Sequence, residues 1–580
     1  MSKQAPRSVS PPFPGRLLPF WPGAAAILSG VLLALCYAPW DCGGLVWVWA
    51  FPLIAALWFS EPGSGKGQAV PPWWHGFRLG YLAGFAFFAI NVSWIVKISS
   101  VAGTIWAGIG ALLGMAAYLG LYFAVFGAFA ATVGRWRPGD GEGRGGRLRF
   151  FGESFAALRV AFLNGAAWCG LEWLRGVLLT GFGWNGLGVA LKDHLVLVQF
   201  AEVVGITGYG FVLMFAGTAL LITLVRVVRE LHTRRKIRLH LEFTLSAAMV
   251  AGLFLFGLSA FLRSPGKTID LRARILQFNV PLEEKWSEDN EIRQRVLDDY
   301  RDLTLAFVGA APHDLVLWPE TAVPGIFSSP WVHEFLNEHI LRGGDFHLVT
   351  GLEATNLTNS EIYNTFAIFK GSTESYQMHK KTHLVPFGEY IPLRGKIPFF
   401  ERIAGGVIEQ DFTPGDSWEP LVVEKEGREI GIIPLICFED TVPRLARRFL
   451  REGPQVFVNI TNDGWFDGSA QPQQHFDNAL FRCIEFRRPM IRTANTGVSG
   501  FIDEYGSVHD RTGREPGPRI VRDPETGATA IRGSLPATLA VALDPPATIY
   551  GRIGDAFSIA LGLVALAAAG WRWCAARRVL

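Results

Sequence analysis

Charge is scarce in this chain. Only 18% of its 580 residues are Asp, Glu, Lys or Arg, and the net charge is +3. So small an excess argues against a nucleic-acid partner. Cysteine is scarce too. Cys36, Cys42, Cys169, Cys437, Cys483 and Cys574 form no CxxC pair and have no metal-ligand spacing, which leaves neither a metal centre nor a disulfide framework to expect. Cys437 and Cys483 fall in the less apolar half; a disulfide between them is possible, but a large domain with a full core does not need one. No GxGxxG or GxxxxGK[ST] follows a strand-like run, so neither a dinucleotide site nor a P-loop is supported. No histidine takes an obvious triad position, and His383 and His475 read as structural.

Apolar sequence is abundant, 50% of all residues, and it is gathered in blocks. A spanning helix needs ~20 apolar residues. Eight candidate spans lie near 22–38, 45–60, 74–97, 103–133, 154–176, 200–227, 243–262 and 552–571. The first two are short and joined by the turn-rich Ala38-Pro-Trp-Asp-Cys-Gly-Gly44. Leu33-Ala-Leu-Cys36 hints at a lipoprotein cleavage box. Leu35 is too large to precede such a cysteine, and the first block reads as a retained membrane helix.

Basic residues set the orientation. Arg135, Arg137, Arg144, Arg147 and Arg149 follow the fourth block. Arg226, Arg229, Arg234, Arg235, Lys236 and Arg238 follow the sixth, and Arg577 and Arg578 the last. With the N-terminus inside, eight spans put all three clusters in the cytoplasm. The expected order is a cytoplasmic tail (1–16), a seven-span bundle (17–263), an extracytoplasmic domain (264–547) and a final span with a cytoplasmic tail (548–580). Glu172 and Arg175 share a helix face and neutralise each other, as a structural pair or a headgroup site. The loop Gly181-Phe-Gly-Trp-Asn-Gly-Leu-Gly188 reads equally as a lipid cradle and as an interfacial aromatic belt.

In the less apolar half, strands are expected at 274–280, 314–318, 346–352, 363–370, 373–379, 430–436, 456–460, 490–495 and 499–503. Helices are expected at 288–309, 331–342, 441–452 and 473–487. Strands mixed with helices in this order imply a layered α/β domain. Two strands end on reactive groups: one delivers Glu320, the other Cys437. A third segment offers Lys380, Lys381 and Glu389. Taken alone, Cys437 reads as a buried structural cysteine. With the carboxylate and the ammonium it completes a set for acyl transfer: nucleophile, base and oxyanion stabiliser. A carboxylate of pKa about 4.3 is a weak base for a thiol of about 8.5, so the site must bury Glu320.

Leu317-Trp-Pro-Glu-Thr321, Lys381-Thr-His-Leu-Val-Pro-Phe-Gly-Glu389 and Cys437-Phe-Glu439 resemble the motifs of the nitrilase superfamily. Asn459-Ile-Thr-Asn-Asp-Gly-Trp-Phe466, Arg482-x-x-Glu485, Arg488-Pro489 and Asn495-Thr-Gly497 extend the likeness over about residues 270–545. With eight spans around that domain, the whole chain resembles the apolipoprotein N-acyltransferase family. The resemblance implies an α-helical transmembrane bundle plus an α/β nitrilase-like αββα sandwich. It implies transfer of a phospholipid sn-1 acyl chain to the N-terminal α-amine of diacylglyceryl-cysteine in apolipoproteins, through a cysteine thioester. The setting would be the bacterial inner membrane, with the catalytic domain on the periplasmic side.

By the same resemblance Cys437 is the nucleophile, Glu320 the general base and Lys381 the oxyanion stabiliser; register selects Lys381 over Lys380. Glu389 and Glu439 support the site, and Trp286, Phe438 and Trp465 contact substrate. The implied partners are a phospholipid donor, a diacylglyceryl-apolipoprotein acceptor and the bilayer. No cofactor, metal or nucleic acid is implied, and the chain would act as a monomer. Two positions depart from the family: Phe438 replaces a tyrosine, which leaves any role of a phenol hydroxyl open, and Gly183 replaces a proline. Segment 394–416, with Arg394, Phe399, Phe400, Gly405 and Gly406, reads as a lid or as a fixed membrane-facing loop. Two other classes are an anchored amidohydrolase, which eight spans argue against, and a receptor with a degenerate domain, which the intact trio argues against.

Overall fold

The computed structural model describes residues 20–577, except 62–63, 66–67, 142–150, 234–238, 265, 286, 288, 310, 357–359, 397–407, 409, 512 and 514. Every apolar block contains a helix. Before the soluble domain come α1 (Trp21–Ala34), α2 (Phe51–Phe59), α3 (Pro72–Asn91), α4 (Ile105–Ala130), α5 (Gly152–Arg175), α6 (Ala201–His232) and α7 (Leu241–Phe261). Among the described residues five helices are long and apolar enough to cross a membrane: α4 to α7, and the C-terminal helix Ala556–Arg577. The expected count of eight is therefore not reached on length and hydropathy. At 1.5 Å per residue the 14 residues of α1 reach only about 21 Å of a ~30 Å core, and α2 is shorter still. Of the basic clusters, residues 144, 147, 149, 234–236, 238 and 578 lie outside the described residues.

Helix pairing in the bundle uses small residues, which let backbones approach where burial from water offers no drive. Gly76, Gly80 and Gly84 sit four apart on α3. A Cβ added at Gly80 would lie 2.2 Å from the Phe123 carbonyl of α4, so no other residue fits there.

Among its described residues the α/β domain holds two sheets. The first orders β11-β1-β2-β3-β4-β5, with β1 (Thr268–Gln277), β2 (Leu315–Leu317), β3 (His347–Asn356), β4 (Glu361–Lys370), β5 (Ser372–Lys380) and β11 (Gly533–Ala542). The second orders β10-β9-β8-β7-β6, with β6 (Leu421–Lys425), β7 (Arg428–Ile436), β8 (Gln455–Thr461), β9 (Met490–Ala494) and β10 (Gly500–Ile502). The centres are parallel: β1 with β2, β2 with β3, β7 with β8, and β8 with β9. The sheets face each other through Leu271, Ile275, Leu317, Val423, Ile432, Val458 and other buried apolar residues. On the outer side of the first sheet, α8 (Asn290–Val308) and α9 (Pro330–Phe335) cover a second core.

The outer face of the second sheet is covered differently. Helices α10 (Gln471–Ala479) and α11 (Phe481–Phe486) lie on it, and the membrane bundle lies beyond them. One apolar core runs through both, from Leu53, Phe123 and Trp168 of the bundle to Phe449, Phe457 and Phe476 of the domain. Polar ties accompany it. Arg487 pairs with Glu202 at 2.5 Å, and the Ile206 N–H donates to Glu485 at 2.8 Å. Gln474 accepts from the indoles of Trp94 and Trp184 and donates to the carbonyls of Ala38 and Asn91.

The expected strands are present with shifted ends, and β6 and β11 are additional. Both are edge strands, and β11 carries Pro536, which an edge tolerates. The expected helix at 441–452 is broken: a 3₁₀ turn Cys437–Thr441, a short helix Pro443–Ala446 and a second 3₁₀ turn Arg447–Phe449. Pro443 cannot continue a preceding helix, which explains the break.

Candidate active site

Three strand ends meet at the seam between the sheets. Glu320 follows β2, Lys381 follows β5 and Cys437 follows β7. The Lys381 ammonium, 1% exposed, lies 2.8 Å from Glu389 Oε1 and 3.6 Å from Glu320 Oε1. Asn364, on β4, donates to both carboxylates, at 2.8 Å to Glu320 and 3.0 Å to Glu389. Burial alone would lower the Lys381 pKa. Glu389, Glu320 and Cys437 outweigh it and raise it, so the ammonium keeps its proton. The Cys437 thiol is pushed up, first by burial and then by the charge of Glu320, with Lys381 pulling the other way. Cys437 therefore rests as a thiol, and forming its thiolate would need a base.

Backbone geometry sets Cys437 apart. Its φ is +54°, a left-handed conformation that costs a non-glycine residue roughly 1–2 kcal/mol. The strand ends there and the 3₁₀ turn begins, so the side chain is thrown out at the bend. Two partners hold the bend: Asn459 donates to the Cys437 carbonyl at 3.0 Å, and Ile436 N–H donates to Glu439 Oε2 at 2.9 Å. Glu439 also accepts from Thr382 N–H, Thr382 Oγ1 and His383 N–H, so this one carboxylate joins the lysine segment to the cysteine turn. Burial raises its pKa, against the lowering charge of Lys381 and those N–H donors.

The glutamate is held as tightly. Thr321 beside it has φ +46°, and Lys285, itself buried, donates to the Glu320 carbonyl at 2.8 Å. A Cβ at Gly351 would come within 2.4 Å of Thr321 N and 2.7 Å of Glu320 Cα, so glycine is needed behind Glu320.

The aromatic loop after α5 reaches this site. Phe182 and Trp184 stack on Phe438 at 6.1 and 6.2 Å, and His383 stacks on it at 6.0 Å. Trp184 is buried, so this part of the loop is no interfacial belt. Glu172 and Arg175 anchor the loop: Arg175 donates to the Phe182 and Trp184 carbonyls, and Leu187 N–H donates to Glu172. A cavity of about 20 Å³ lies beside that pair in the bundle, lined by Phe87, Tyr122, Trp168 and Leu187 among others.

Glu320, Lys381, Cys437, Glu389, Glu439 and Phe438 thus come together. Trp465 lies on the turn Asp463–Phe466, 37% exposed. Trp286 and most of segment 394–416 lie outside the described residues. His475 is buried and fully partnered, as expected. His383 is not: its Nε2 has no hydrogen-bond partner among the described residues, and burial lowers its pKa to about 4. Among the described residues no group of His, Cys, Asp and Glu could hold a metal. Sequence reading missed Asn364 and Lys285. The signal for Asn364 was a lone amide inside the otherwise strand-forming Tyr363-Asn-Thr-Phe-Ala-Ile-Phe369.

A sandwich of two sheets with these three strand ends defines a carbon–nitrogen hydrolase domain, and the Carbon-nitrogen hydrolase family matches residues 272–518. Ahead of it, residues 29–219 match the Apolipoprotein N-acyltransferase N-terminal domain. Curated relatives named apolipoprotein N-acyltransferase align along most of the chain. That of Geobacter metallireducens is 31% identical over 84% of this chain and 86% of its own. That of Rhodopseudomonas palustris is 30% identical over 91% of each, and that of Azotobacter vinelandii 32% over 85% and 87%. The chain belongs to the apolipoprotein N-acyltransferase family.

Proposed function

We propose that this chain transfers an acyl chain from the sn-1 position of a phospholipid to the N-terminal α-amine of a diacylglyceryl-apolipoprotein, through a thioester on Cys437. The observation that carries this reading is the stacking of Phe438, next to the nucleophile, on Phe182 and Trp184 of the membrane bundle. A cysteine abutting that bundle suits a substrate that lives in lipid.

In the first half-reaction the Cys437 sulfur attacks the ester carbonyl while Glu320 takes the thiol proton. The Lys381 ammonium and the backbone N–H at 438 receive the oxyanion. The intermediate collapses, the C–O bond breaks, and Glu320 returns the proton to the departing lysophospholipid. In the second half the lipoprotein amine attacks the thioester, Glu320 accepts its proton, and the C–S bond breaks. The proton goes back to the sulfur and an amide is left. Glu389 and Asn364 hold Lys381 and Glu320 throughout, and Glu439 holds the turn. Trp286, Phe438 and Trp465 are proposed to contact the substrates. The scheme uses neither metal nor nucleotide, and one copy of the chain is sufficient for it.

We also propose eight membrane helices with the catalytic domain outside the cytoplasm, in a bacterial inner membrane. This orientation does not depend on how α1 to α3 sit. Arg135 and Arg137 follow α4, Arg226 and Arg229 end α6, and Arg577 ends the last helix. Alternate spans thus carry basic ends on one side, and the domain after α7 falls on the other.

Purified chain given a phospholipid and a diacylated lipopeptide should yield lysophospholipid and triacylated peptide, with ping-pong kinetics. Cys437→Ala should yield neither and should take no hydroxylamine-sensitive acyl label. Free fatty acid alone would indicate an amidohydrolase-like enzyme, no turnover a receptor, and thioester labelling of Cys437→Ala would falsify the nucleophile.

A further inference from the structure

Four ionisable side chains behind the nucleophile are all but sealed from solvent: Asp440, Asp463, His475 and Arg492, each at most 1% exposed. Asp440 lies on the turn that begins at Cys437. Asp463 opens the next turn, which carries Trp465. His475 comes from α10 and Arg492 from β9. His475 spans the two turns, with Nε2 2.9 Å from Asp440 Oδ1 and Nδ1 2.8 Å from Asp463 Oδ1. Arg492 runs alongside, 3.3 Å from Asp440 Oδ2 and 3.2 Å from Asp463 Oδ2.

A neutral imidazole has a single N–H. Its other nitrogen would then set a lone pair against a carboxylate oxygen inside 3 Å, in a site without water to screen it. Two N–H groups satisfy both contacts. They also bring the cluster to two anions and two cations, the balance that burial demands. Burial alone would strip the ring's proton. Asp440 and Asp463 outweigh burial and the opposing Arg492, and push the imidazolium up to about 9. Among the described residues, the other ionisable groups near the cluster are Arg482, which donates to the Asp440 carbonyl at 3.4 Å, its partner Glu485, and the Cys437 thiol, which feels the charge of Asp463.

The preceding residue, Gln474, makes four hydrogen bonds into the membrane bundle. Adjacent residues of one helix thus grip the bundle on one side and the two turns on the other. We propose that His475 is a positioning residue: as a doubly protonated ring it clasps the Cys437 turn to the Asp463–Phe466 turn and so fixes the sulfur against Glu320 and Lys381. The proposal rests on Cys437 being the nucleophile and adds a part that the triad alone does not require. It also gives the acylation step an alkaline limit. A raised pKa contributes below the unfolded value and is lost as pH rises through the folded one. Losing the proton leaves two carboxylates facing each other across one guanidinium, and the turns part.

The test is single-turnover acylation of the full chain in nanodiscs by a phosphatidylethanolamine with a fluorescent sn-1 chain, followed across pH. His475→Gln should acylate roughly 100-fold more slowly, the scale expected when a reacting atom shifts by about an ångström. The donor concentration for half-maximal rate should stay near that of the parent. The parent's rate should fall as pH passes about 9. In Asp440→Asn, which keeps the ring but loses one anion, that fall should move to lower pH. Parent-like acylation by His475→Gln overturns the proposal, as does an alkaline limb unmoved in Asp440→Asn; the second readout decides the matter even if His475→Gln fails to fold. Cys437→Ala separates the two readings. Acylation of that variant sinks the nucleophile assignment, whereas an inert Cys437→Ala beside an unaffected His475→Gln sinks the clasp alone.

Discussion

Cys437, the proposed nucleophile, rests in its protonated form. Buried beside a carboxylate, its thiol holds its proton; beside Lys381, it has a counter-charge ready once the proton leaves. The two neighbours pull in opposite directions, which separates thiolate formation from catalysis. In Glu320→Gln the negative neighbour is gone and Lys381 remains. Iodoacetamide should therefore alkylate Cys437 faster in Glu320→Gln than in the parent at neutral pH, while acyl transfer falls by roughly 100-fold or more with the base removed. Measured alkylation and transfer rates falling together would show that Glu320 activates the thiol in the resting state. Glu320 and Cys437 were legible in the sequence because each stands where a run of strand-forming residues stops, whereas Lys381 was singled out from Lys380 by the register of the family motif. Asn364 and Arg492 were not, because they sit inside strands, where alternation reports which face a residue takes but not what it meets there.

At the scale of elements, the two sheets are tied at one edge by charge. Asp314, at the head of β2, accepts from Arg272 of β1 and from Lys425 of β6, the second across the sandwich at 2.8 Å. Burial would raise the Asp314 pKa, but Arg272 and Lys425 win and bring it down to about 2. A depressed carboxylate contributes stability above its unfolded pKa, about 3.9, and loses it as pH falls through the folded value. The parent should thus lose melting temperature between about pH 4 and 2, and Asp314→Asn should lose less over that window. A variant as acid-labile as the parent would mean the tie contributes nothing. Sequence reading found the parallel strands at the sheet centres, which are continuous apolar runs, but passed over β6 and β11. Edge strands pair on one side, so Leu421-Val-Val-Glu-Lys425 and the proline-bearing β11 carry little pattern. The broken helix after Cys437 was missed for a different reason: apolar spacing continues through Pro443, while the backbone cannot.

At the scale of the whole molecule, orientation can be read from reagents that stay outside the cell. Cys574 lies exposed near the basic end of the last helix, and Glu426 on the hairpin between β6 and β7. In intact spheroplasts an impermeant maleimide should label a Glu426→Cys protein at that turn and spare Cys574 until the cells are lysed. The opposite pattern would invert the proposed topology. Eight blocks were visible while five helices among the described residues are long and apolar enough to cross a bilayer, because hydropathy reports apolar content rather than its use: α1 and α2 are short, and α1, α2 and α3 bury Leu33, Leu53 and Phe87 in the bundle interior.

The continuous core has a practical corollary. Phe449, Phe457 and Phe476 belong to one buried cluster with Leu53, Phe123 and Trp168 of the bundle, as the parts of an ordinary protein's interior do. The helices are thus less a mooring than a missing wall of the enzyme. Cutting out residues 264–547 to obtain a water-soluble catalyst would strip that wall away and release a sticky half-shell, and grafting the same piece onto a single-pass tether would not restore it.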